Sequence, residues 1–293
     1  MAANGTDQSI EVSPQRDDYP LSAAQIAGYQ REGYLILPDV VTELELPTLE
    51  STFQRFIEGR VSGMGRDFCD MSGPYERAFE DFNLINAVLP RVYDPTLVGN
   101  VFEMRAMNIA RQLIGADIAL DYDQFLAKRP QRTGAVFAWH QDLGYWPTGT
   151  PDTRTVTCSL ALDDATLENG CLRVVPGSHR EPELRAHRPS SWASSSELRE
   201  EAHTLTVELR PTDAIVPLPV RRGSITVHNE RIVHGSAGNT TDGWRRTYVV
   251  AFRSQQTVAY ERDIGFTHSH NDSINWKTHL EALEGESRTR REL

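Results

Sequence analysis

Lysine is scarce in this sequence. Only Lys128 and Lys277 are lysines among 30 basic residues, an arginine bias typical of a GC-rich bacterial genome. Acidic residues number 41, and the formal net charge is −11. A chain this acidic lacks the general positive charge that attracts nucleic acid or an anionic membrane. The composition therefore predicts a small-molecule ligand, with neither nucleic acid nor a membrane as a partner.

Cysteines and long apolar runs are also rare. Cys69, Cys158 and Cys171 lie far apart without a CxxC pair, which argues against a disulfide framework or a thiolate zinc site and indicates a reducing compartment. No stretch approaches the roughly eighteen apolar residues of a membrane span. The amino-terminal residues are polar and lack the apolar core of a signal peptide. We therefore expect a cytoplasmic protein.

The length of 293 residues, 39% of them hydrophobic, suffices for one large domain with a substantial core. Ser22 and Gln25 have capping-box spacing, which predicts a helix that ends at Gly33. A strand is expected next, over 34–37, followed by helices over 43–59 and 95–113, where apolar residues recur every three or four positions. We assign 1–19 to a disordered lead, 20–254 to a single domain and 255–293 to a carboxy-terminal extension, with a possible short helix over 276–283.

From residue 118 the sequence changes to short alternating or β-branched runs separated by Gly, Pro, Asn and Asp. These runs occupy 117–128, 136–146, 155–165, 171–178, 214–220, 223–235 and 245–254. The pattern predicts a mostly β fold with flanking α-helices, in which two sheets form a jelly roll or barrel. A Ser-rich, charged insertion over 180–203 interrupts the strands and is either a surface loop or an active-site lid.

The stretch FAWHQDLGYWP carries polar chemistry inside an aromatic run. If it is a strand, His140 and Asp142 project from one face and Gln141 from the other. For a lone HxD match, a hydrogen-bonded His–Asp pair is the favoured explanation, and the context of the rest of the sequence decides against it. A second histidine, His234, precedes Arg245 by eleven residues, and a tight hairpin would bring the two together.

Two imidazoles and one carboxylate form the facial triad that suits non-haem Fe(II) and leaves positions open for a bidentate oxo acid and dioxygen. An arginine fork can hold the distal carboxylate of that acid. His228 could replace His234 in such a triad, but the spacing to Arg245 favours His234 and leaves His228 as a structural hydrogen-bonding residue.

Three segments, HQDLGYWP, NGCLRVVPGSH and HGSAGNTTDGWRR, resemble in order the motifs of the phytanoyl-CoA dioxygenase family of Fe(II)/2-oxoglutarate oxygenases. The amino-terminal LSAAQIAGYQREGYLILPDVV is similar to the opening helix and strand of that family, so the resemblance covers about 21–252. It implies a double-stranded β-helix of cupin-like type that uses Fe(II), 2-oxoglutarate and O₂.

The resemblance also implies roles for individual residues. His140, Asp142 and His234 match the iron ligands, and Arg245 matches the arginine that pairs with the distal carboxylate of 2-oxoglutarate. Ser236 is similar to a further contact to that carboxylate, and Gln124 stands where relatives place a residue against the co-substrate. Other polar and aromatic residues near the motifs are interpreted as supporting, structural or packing residues: Gln141, His179, Arg246, Trp139, Tyr145 and Trp146.

Asp142 fills the position that is small in halogenating relatives, so the resemblance favours hydroxylation, with decarboxylation of 2-oxoglutarate to succinate. Desaturation, ring closure and epimerisation remain open, as does the oligomeric state. We expect 64–72, the insertion and 267–270 to select the substrate, a small molecule that is plausibly a bacterial secondary-metabolite intermediate. An acyl-CoA substrate is the alternative. A cupin-like metal isomerase or hydrolase and a non-catalytic binding domain are alternatives of other classes.

Overall fold

The computed structural model describes residues 18–147, 149–189 and 204–274. Two antiparallel sheets carry most of its strands. The larger has the order β1-β11-β6-β13-β4-β3-β2 and the smaller β10-β7-β12-β5, beside a two-stranded ribbon of β8 and β9. The strands are β1 (Tyr34–Leu37), β2 (Phe68–Asp70), β3 (Leu84–Val88), β4 (Ile118–Lys128), β5 (Phe137–His140), β6 (Thr155–Ala161), β7 (Leu172–Val174), β8 (Arg188–Pro189), β9 (Leu205–Thr206), β10 (Val216–Leu218), β11 (Ile225–His228), β12 (His234–Ser236) and β13 (Arg245–Ser254).

The helices pack on the larger sheet and form most of the core with it. They are α1 (Ala23–Glu32), α2 (Leu46–Ile57), α3 (Pro90–Tyr93), α4 (Val101–Ile114) and α5 (Gln255–Asp263). From α2, the rings of Phe53 and Phe56 lie 4.4 and 5.2 Å from that of Phe125 on β4, and all three are buried. Replacing one such ring by Ala would cost about 3–5 kcal/mol, which makes this contact a main anchor of the helical layer.

The predicted helix boundaries hold at α1 and shift elsewhere. Ser22 and Gln25 form the expected capping box, and Gly33 ends α1 with a φ of 85°. The helix predicted over 43–59 covers only Leu46–Ile57, because the chain turns at Thr42 before the helix starts. The helix predicted from Pro95 starts at Val101, where the Asn100 side chain caps the amide of Glu103; a 3₁₀ turn precedes it.

Two predicted strands end earlier than the sequence suggests. The strand over 136–146 stops at His140, and Asp142–Tyr145 form a 3₁₀ helix. The predicted 223–235 strand is two strands in different sheets, with a turn at Asn229 whose carbonyl accepts from the amide of Ile232.

The predicted hairpin from His234 to Arg245 is wrong. β12 belongs to the smaller sheet, whereas β13 lies in the larger sheet between β6 and β4. The loop between them crosses from one sheet to the other, so His234 and Arg245 approach the space between the sheets from opposite sides.

The ends of the chain and the centre of the insertion fall largely outside the description. Residues 1–17, 190–203 and 275–293 are among those not described, which includes most of the predicted lead and the possible helix over 276–283. The domain boundaries therefore stay a prediction. Helices long and apolar enough to cross a membrane are absent from the described part of the chain.

Candidate active site

Two histidines and an aspartate come together at the end of β5. His140 closes β5 and pairs directly with His234, the first residue of β12. Asp142 follows in the 3₁₀ helix, where its Oδ1 lies 3.1 Å from Nε2 of His140 and 3.4 Å from Nε2 of His234. The same-face strand geometry expected for His140 and Asp142 is wrong, but the tight turn still brings their side chains together.

Backbone carbonyls fix the orientation of both imidazoles. Nδ1 of His140 lies 2.7 Å from the carbonyl of Ala138, and Nδ1 of His234 lies 3.0 Å from that of Ile232. Because a carbonyl can only accept, each Nδ1 carries a proton, and each Nε2 faces Oδ1 of Asp142. One ligand atom from each of the three residues lies within 4.8 Å of the others, so the group can hold a metal ion. Imidazole nitrogen and carboxylate oxygen suit Fe(II).

His228 approaches the same carboxylate from β11. Its Nε2 lies 3.1 Å from Oδ2 of Asp142, the oxygen turned away from the other two histidines. Burial alone would raise the pKa of Asp142, but the surrounding imidazoles hold that pKa well below its usual value. Conversely, burial opposes protonation of His234, and Asp142 outweighs it, so the pKa of His234 rises. His228 thus makes a hydrogen bond, as the sequence predicted, and its partner is the carboxylate of the site itself.

An inner chamber extends from this group between the sheets. Arg245 of β13 and Ser236 of β12 line it, as do Gln124 and the triad. No carboxylate of the described residues lies within ion-pair distance of Arg245, and its Nε is buried without a hydrogen-bond partner. Burial lowers the pKa of Arg245 to about 10, which still leaves it protonated near neutral pH. The chamber thus ends at a cation ready to accept an anionic group.

Gln124 and Tyr122 stand at the junction between the inner chamber and a second one. Both line the two chambers, because alternate residues of β4 share one face. The Gln124 amide donates to Oδ1 of Asn86 at 2.6 Å, which leaves its own oxygen facing the chambers.

The outer chamber opens to solvent. Aromatic and apolar side chains dominate its wall, and His140 and Asp142 form its floor. The remaining lining residues are Arg66, Met71, Tyr75, Val88, Tyr122, Gln124, Phe137, Tyr145, Trp146, Phe266, His268, Ser269 and His270.

The two described segments expected to select the substrate meet at this chamber. Asp67 is buried and accepts hydrogen bonds from Oγ of Ser269 at 2.7 Å and from the amide of His270 at 2.6 Å. Asn271 adds a bond from its side chain to the carbonyl of Met64 at 2.8 Å. We call this set of contacts the Asp67 clasp; it joins 64–72 to 267–272 across the outer chamber.

Gln141 and Arg246 point away from the two chambers, as predicted. The Gln141 amide donates to the carbonyl of Arg231 at 2.6 Å and accepts from the amide of Arg185 at 2.8 Å, so it fixes the chain behind the triad. Arg246 pairs with Asp163 and with Glu50.

The remaining predicted structural residues have separate environments. His179 packs under the turn at Gly33 and lies 3.0 Å from the carbonyl of Gln30. Trp139 packs in a separate apolar cluster, while Tyr145 and Trp146 line the outer chamber.

A buried ionic network lies behind the wall of the outer chamber. His268 is held by Asp121 at 2.7 Å and lies 3.5 Å from Glu261, and these three could also form a metal site. Arg253 already pairs with both carboxylates, at 3.1 and 2.7 Å, and Arg262 pairs with Asp121. Because guanidinium groups neutralise these acids, we interpret the group as an ion network that positions His268.

Sequence reasoning missed several residues at the site. Tyr122 and Lys128 stand outside the motifs, and only their partners in the fold reveal them. The described part of the insertion also reaches the site, because Nε2 of His187 lies 3.1 Å from the amide nitrogen of Gln141. No local pattern distinguishes these residues from ordinary core residues.

Comparison with known proteins adds an independent line of evidence. The profile of the phytanoyl-CoA dioxygenase family (PhyH) matches residues 29–247. The chain belongs to this family. An ectoine dioxygenase of Bordetella parapertussis is 26% identical over 273 residues, covering 87% of this chain and 86% of that protein.

Solved structures agree with this membership in the phytanoyl-CoA dioxygenase family. EvdO2 from Micromonospora carbonacea var. aurantiaca superposes with a TM-score of 0.63 at 27% identity, covering 80% of this chain and 92% of that one; it has also been solved with 2-oxoglutarate. The non-haem 2-oxoglutarate-dependent carbocyclase SnoK from nogalamycin biosynthesis gives a TM-score of 0.61 at 25% identity, covering 79% and 83%. The protein is thus an Fe(II)/2-oxoglutarate-dependent dioxygenase, and the predicted fold class, enzyme class and cofactors are confirmed.

Proposed function

We propose that this oxygenase hydroxylates a mainly apolar small molecule held in the outer chamber, with iron bound by His140, Asp142 and His234. The observation that carries the proposal is that two chambers meet at His140 and Asp142, while His234 lines the inner one. One chamber ends at an unpaired arginine, and the other is aromatic and open to solvent. A co-substrate and a substrate can therefore reach one metal from different sides.

The side chains of His140, Asp142 and His234 are oriented so that their nitrogen and oxygen atoms can bind Fe(II). Both imidazoles are held through Nδ1, so that their Nε2 atoms face Oδ1 of Asp142, while His228 holds Oδ2. Such outer hydrogen bonds fix the tautomer and orientation of metal ligands. The bound metal supplies the activation of dioxygen that accompanies decarboxylation of 2-oxoglutarate.

We assign the distal carboxylate of 2-oxoglutarate to Arg245 and Ser236. The Arg245 guanidinium offers two parallel donors, and the Ser236 hydroxyl lines the same end of the chamber. Gln124 then flanks the co-substrate at the chamber junction. The sheets on either side limit access of water, which strengthens these polar contacts.

The outer chamber favours a substrate with a substantial apolar surface. Trp146, Phe266 and Tyr122 offer flat apolar faces, and polar groups such as Tyr75 and Ser269 are few among them. A small set of polar contacts in an apolar pocket fixes the orientation of a ligand. The biosynthetic context named for SnoK supports a natural-product intermediate as the substrate of this chain also.

An acyl-CoA substrate is less well supported by the surface next to this chamber. A neighbouring surface pocket shares Arg66 and His270 with the outer chamber and also contains the acidic residues Glu76 and Asp272. Nucleotide phosphates require concentrated positive charge, and this pocket mixes both signs.

Two measurements, carried out one after the other, test the proposal. Anaerobic addition of 2-oxoglutarate to the Fe(II)-loaded protein should produce a visible charge-transfer band, and His234→Ala should remove it. Candidate apolar substrates are then screened for succinate formation, and the products are analysed by mass spectrometry.

Gain of one oxygen atom in the product supports hydroxylation. Loss of two hydrogens or an unchanged mass would replace hydroxylation by desaturation, ring closure or epimerisation. Absence of the charge-transfer band in the wild-type protein would refute the assigned iron and co-substrate site.

A further inference from the structure

The hydroxyl of Tyr122 is buried near the triad without a hydrogen-bond partner. Tyr122 lies on β4 and is only 6% exposed. Among the described residues, none forms a hydrogen bond with this hydroxyl. Tyrosine hydroxyl groups in the interior of a protein are usually paired, so an unpaired one calls for a specific reason.

The position of Tyr122 makes its hydroxyl available to a ligand. The side chain lines both the outer and the inner chamber, as do His140 and Asp142 of the triad. A phenol is protonated at neutral pH. Burial, and then the negative charge of Asp142, raise the pKa of Tyr122 well above its usual value. The hydroxyl therefore stays a hydrogen-bond donor at the junction of the two chambers.

Neighbouring rings hold the Tyr122 ring in place. The ring of His268 lies 4.6 Å away at an angle of 33°, and that of Trp146 lies 5.4 Å away. Asp121 holds His268 in turn, at 2.7 Å. Both neighbouring rings line the outer chamber and not the inner one. The Tyr122 ring is thus part of the outer wall, and its fixed position lowers the entropic cost of binding a ligand.

Other polar groups of the outer chamber already form hydrogen bonds within the protein. Oγ of Ser269 donates to Asp67 at 2.7 Å, and the Tyr75 hydroxyl lies 3.0 Å from Nδ1 of His270. These bonds join the segments that form the wall. The Tyr122 hydroxyl has no such bond, so it can donate to a molecule in the chamber.

We propose that the Tyr122 hydroxyl donates a hydrogen bond to an oxygen atom of the substrate and so selects apolar molecules that carry a carbonyl or hydroxyl oxygen close to the carbon that is oxidised. The inference rests on the proposed function and adds to the apolar substrate one polar group and its position. A substrate oxygen bound at the chamber junction holds the neighbouring carbon near the triad. A molecule without that oxygen leaves the hydroxyl unpaired and binds more weakly.

The test uses two probes of nearly equal shape, acetophenone and α-methylstyrene, which differ by a carbonyl oxygen in place of a methylene group. Their affinities for the Fe(II) protein with 2-oxoglutarate are measured by anaerobic equilibrium dialysis. Tyr122→Phe should weaken acetophenone binding about fivefold and α-methylstyrene binding less than about twofold, because only the carbonyl loses a hydrogen bond. The affinity for 2-oxoglutarate, measured from the charge-transfer band, should not change.

Phe266→Leu is the matched control in the same chamber. It removes apolar contact only, so it should weaken both probes by a similar factor. Tyr122→Phe keeps the aromatic ring and its packing, and its melting temperature is measured to confirm an intact fold.

The two variants distinguish failure of the inference from failure of the proposed function. Equal losses for both probes in Tyr122→Phe, or no loss for either, would overturn the role of the hydroxyl while Phe266→Leu still places the probes in the outer chamber. A loss confined to 2-oxoglutarate would assign the hydroxyl to the co-substrate and would overturn the inference as well. If the wild type binds neither probe, or Phe266→Leu affects neither, the outer chamber is not the substrate site, and the inference falls with the proposed function.

Discussion

The inner and outer chambers share His140 and Asp142 but are built from different parts of the fold. Residues of regular strands line most of the inner chamber, and they come from both sheets. The outer chamber takes much of its wall from turns and from the segment after α5. Strands hold side chains more rigidly than loops do, and loops tolerate more change. From this contrast we expect that the sheets hold the groups that carry the reaction, while segments that can vary select the substrate.

The largest expected effect is at Asp142, one of the residues that both chambers share. Asp142→Ala should weaken iron binding by at least about a hundredfold, since even outer-shell changes cost tenfold to a hundredfold. Equilibrium dialysis with Fe(II) measures the effect, and Glu183→Gln on the exposed surface is the control. Iron affinity equal to that of the wild type would show that the carboxylate does not bind the metal.

A smaller effect is expected at His228, which hydrogen-bonds the carboxylate and lies beside the His234 ring without belonging to the triad. His228→Phe should weaken iron binding about tenfold, because Oδ2 of Asp142 loses the donor that orients it. His228→Gln should lose less, because its amide can replace the imidazole N–H. If both variants bind iron like the wild type while their melting temperatures fall, His228 only packs against the site.

A substitution in the outer chamber should weaken substrate binding without changing 2-oxoglutarate binding in the inner chamber. Phe266→Leu removes part of an aromatic face, and we expect about fivefold weaker binding of the substrate with unchanged affinity for 2-oxoglutarate. Phe79→Leu alters an aromatic residue that lines neither chamber and serves as the control. Equal weakening of both ligands in Phe266→Leu would contradict the independence of the two chambers.

The smallest effect on either chamber is expected at Asp123, between Tyr122 and Gln124 on β4. It is buried and accepts from the Tyr248 hydroxyl at 3.2 Å. Burial raises the pKa of Asp123 to about 7, so the folded state binds more protons than the unfolded state between about pH 4 and pH 7. The free energy of unfolding should therefore fall as pH rises through this window.

Asp123→Asn removes this titration and should make stability flatter with pH, with a gain on the order of 2–4 kcal/mol above pH 7. Urea denaturation at pH 4.5 and pH 8 measures it. The affinities for iron and 2-oxoglutarate should not change. A variant that keeps the full pH dependence of the wild type would assign the titration to another group.

The sequence predicted the parts of the site that sit in short motifs. His140, Asp142, His234 and Arg245 combine distinctive chemistry with fixed spacing, so their convergence could be predicted although the assumed hairpin and strand were wrong. The predicted grouping of these residues was still correct. Each of them lies at or near the end of a strand, and both sheets border the same chamber there.

Other contacts have no local signature. Lys128 pairs with Ser236 across 108 residues, and Asp67 meets His270 across 203. A buried lysine looks like any other basic residue in sequence, and an aspartate before a strand looks like a surface residue. Only the tertiary arrangement, which depends on the packing of many apolar side chains, identifies them.

The Asp67 clasp has a consequence for how substrate preference can evolve. Its two halves, Asp67 and His270, are 203 residues apart in the sequence. Recombination that replaces only one half would therefore leave a buried carboxylate without its partners. New preferences should therefore arise when both halves change together, or when side chains such as Met71 and Phe266 vary within a preserved clasp. A chimera with a relative should keep the contacts of the clasp only if both segments come from the same parent.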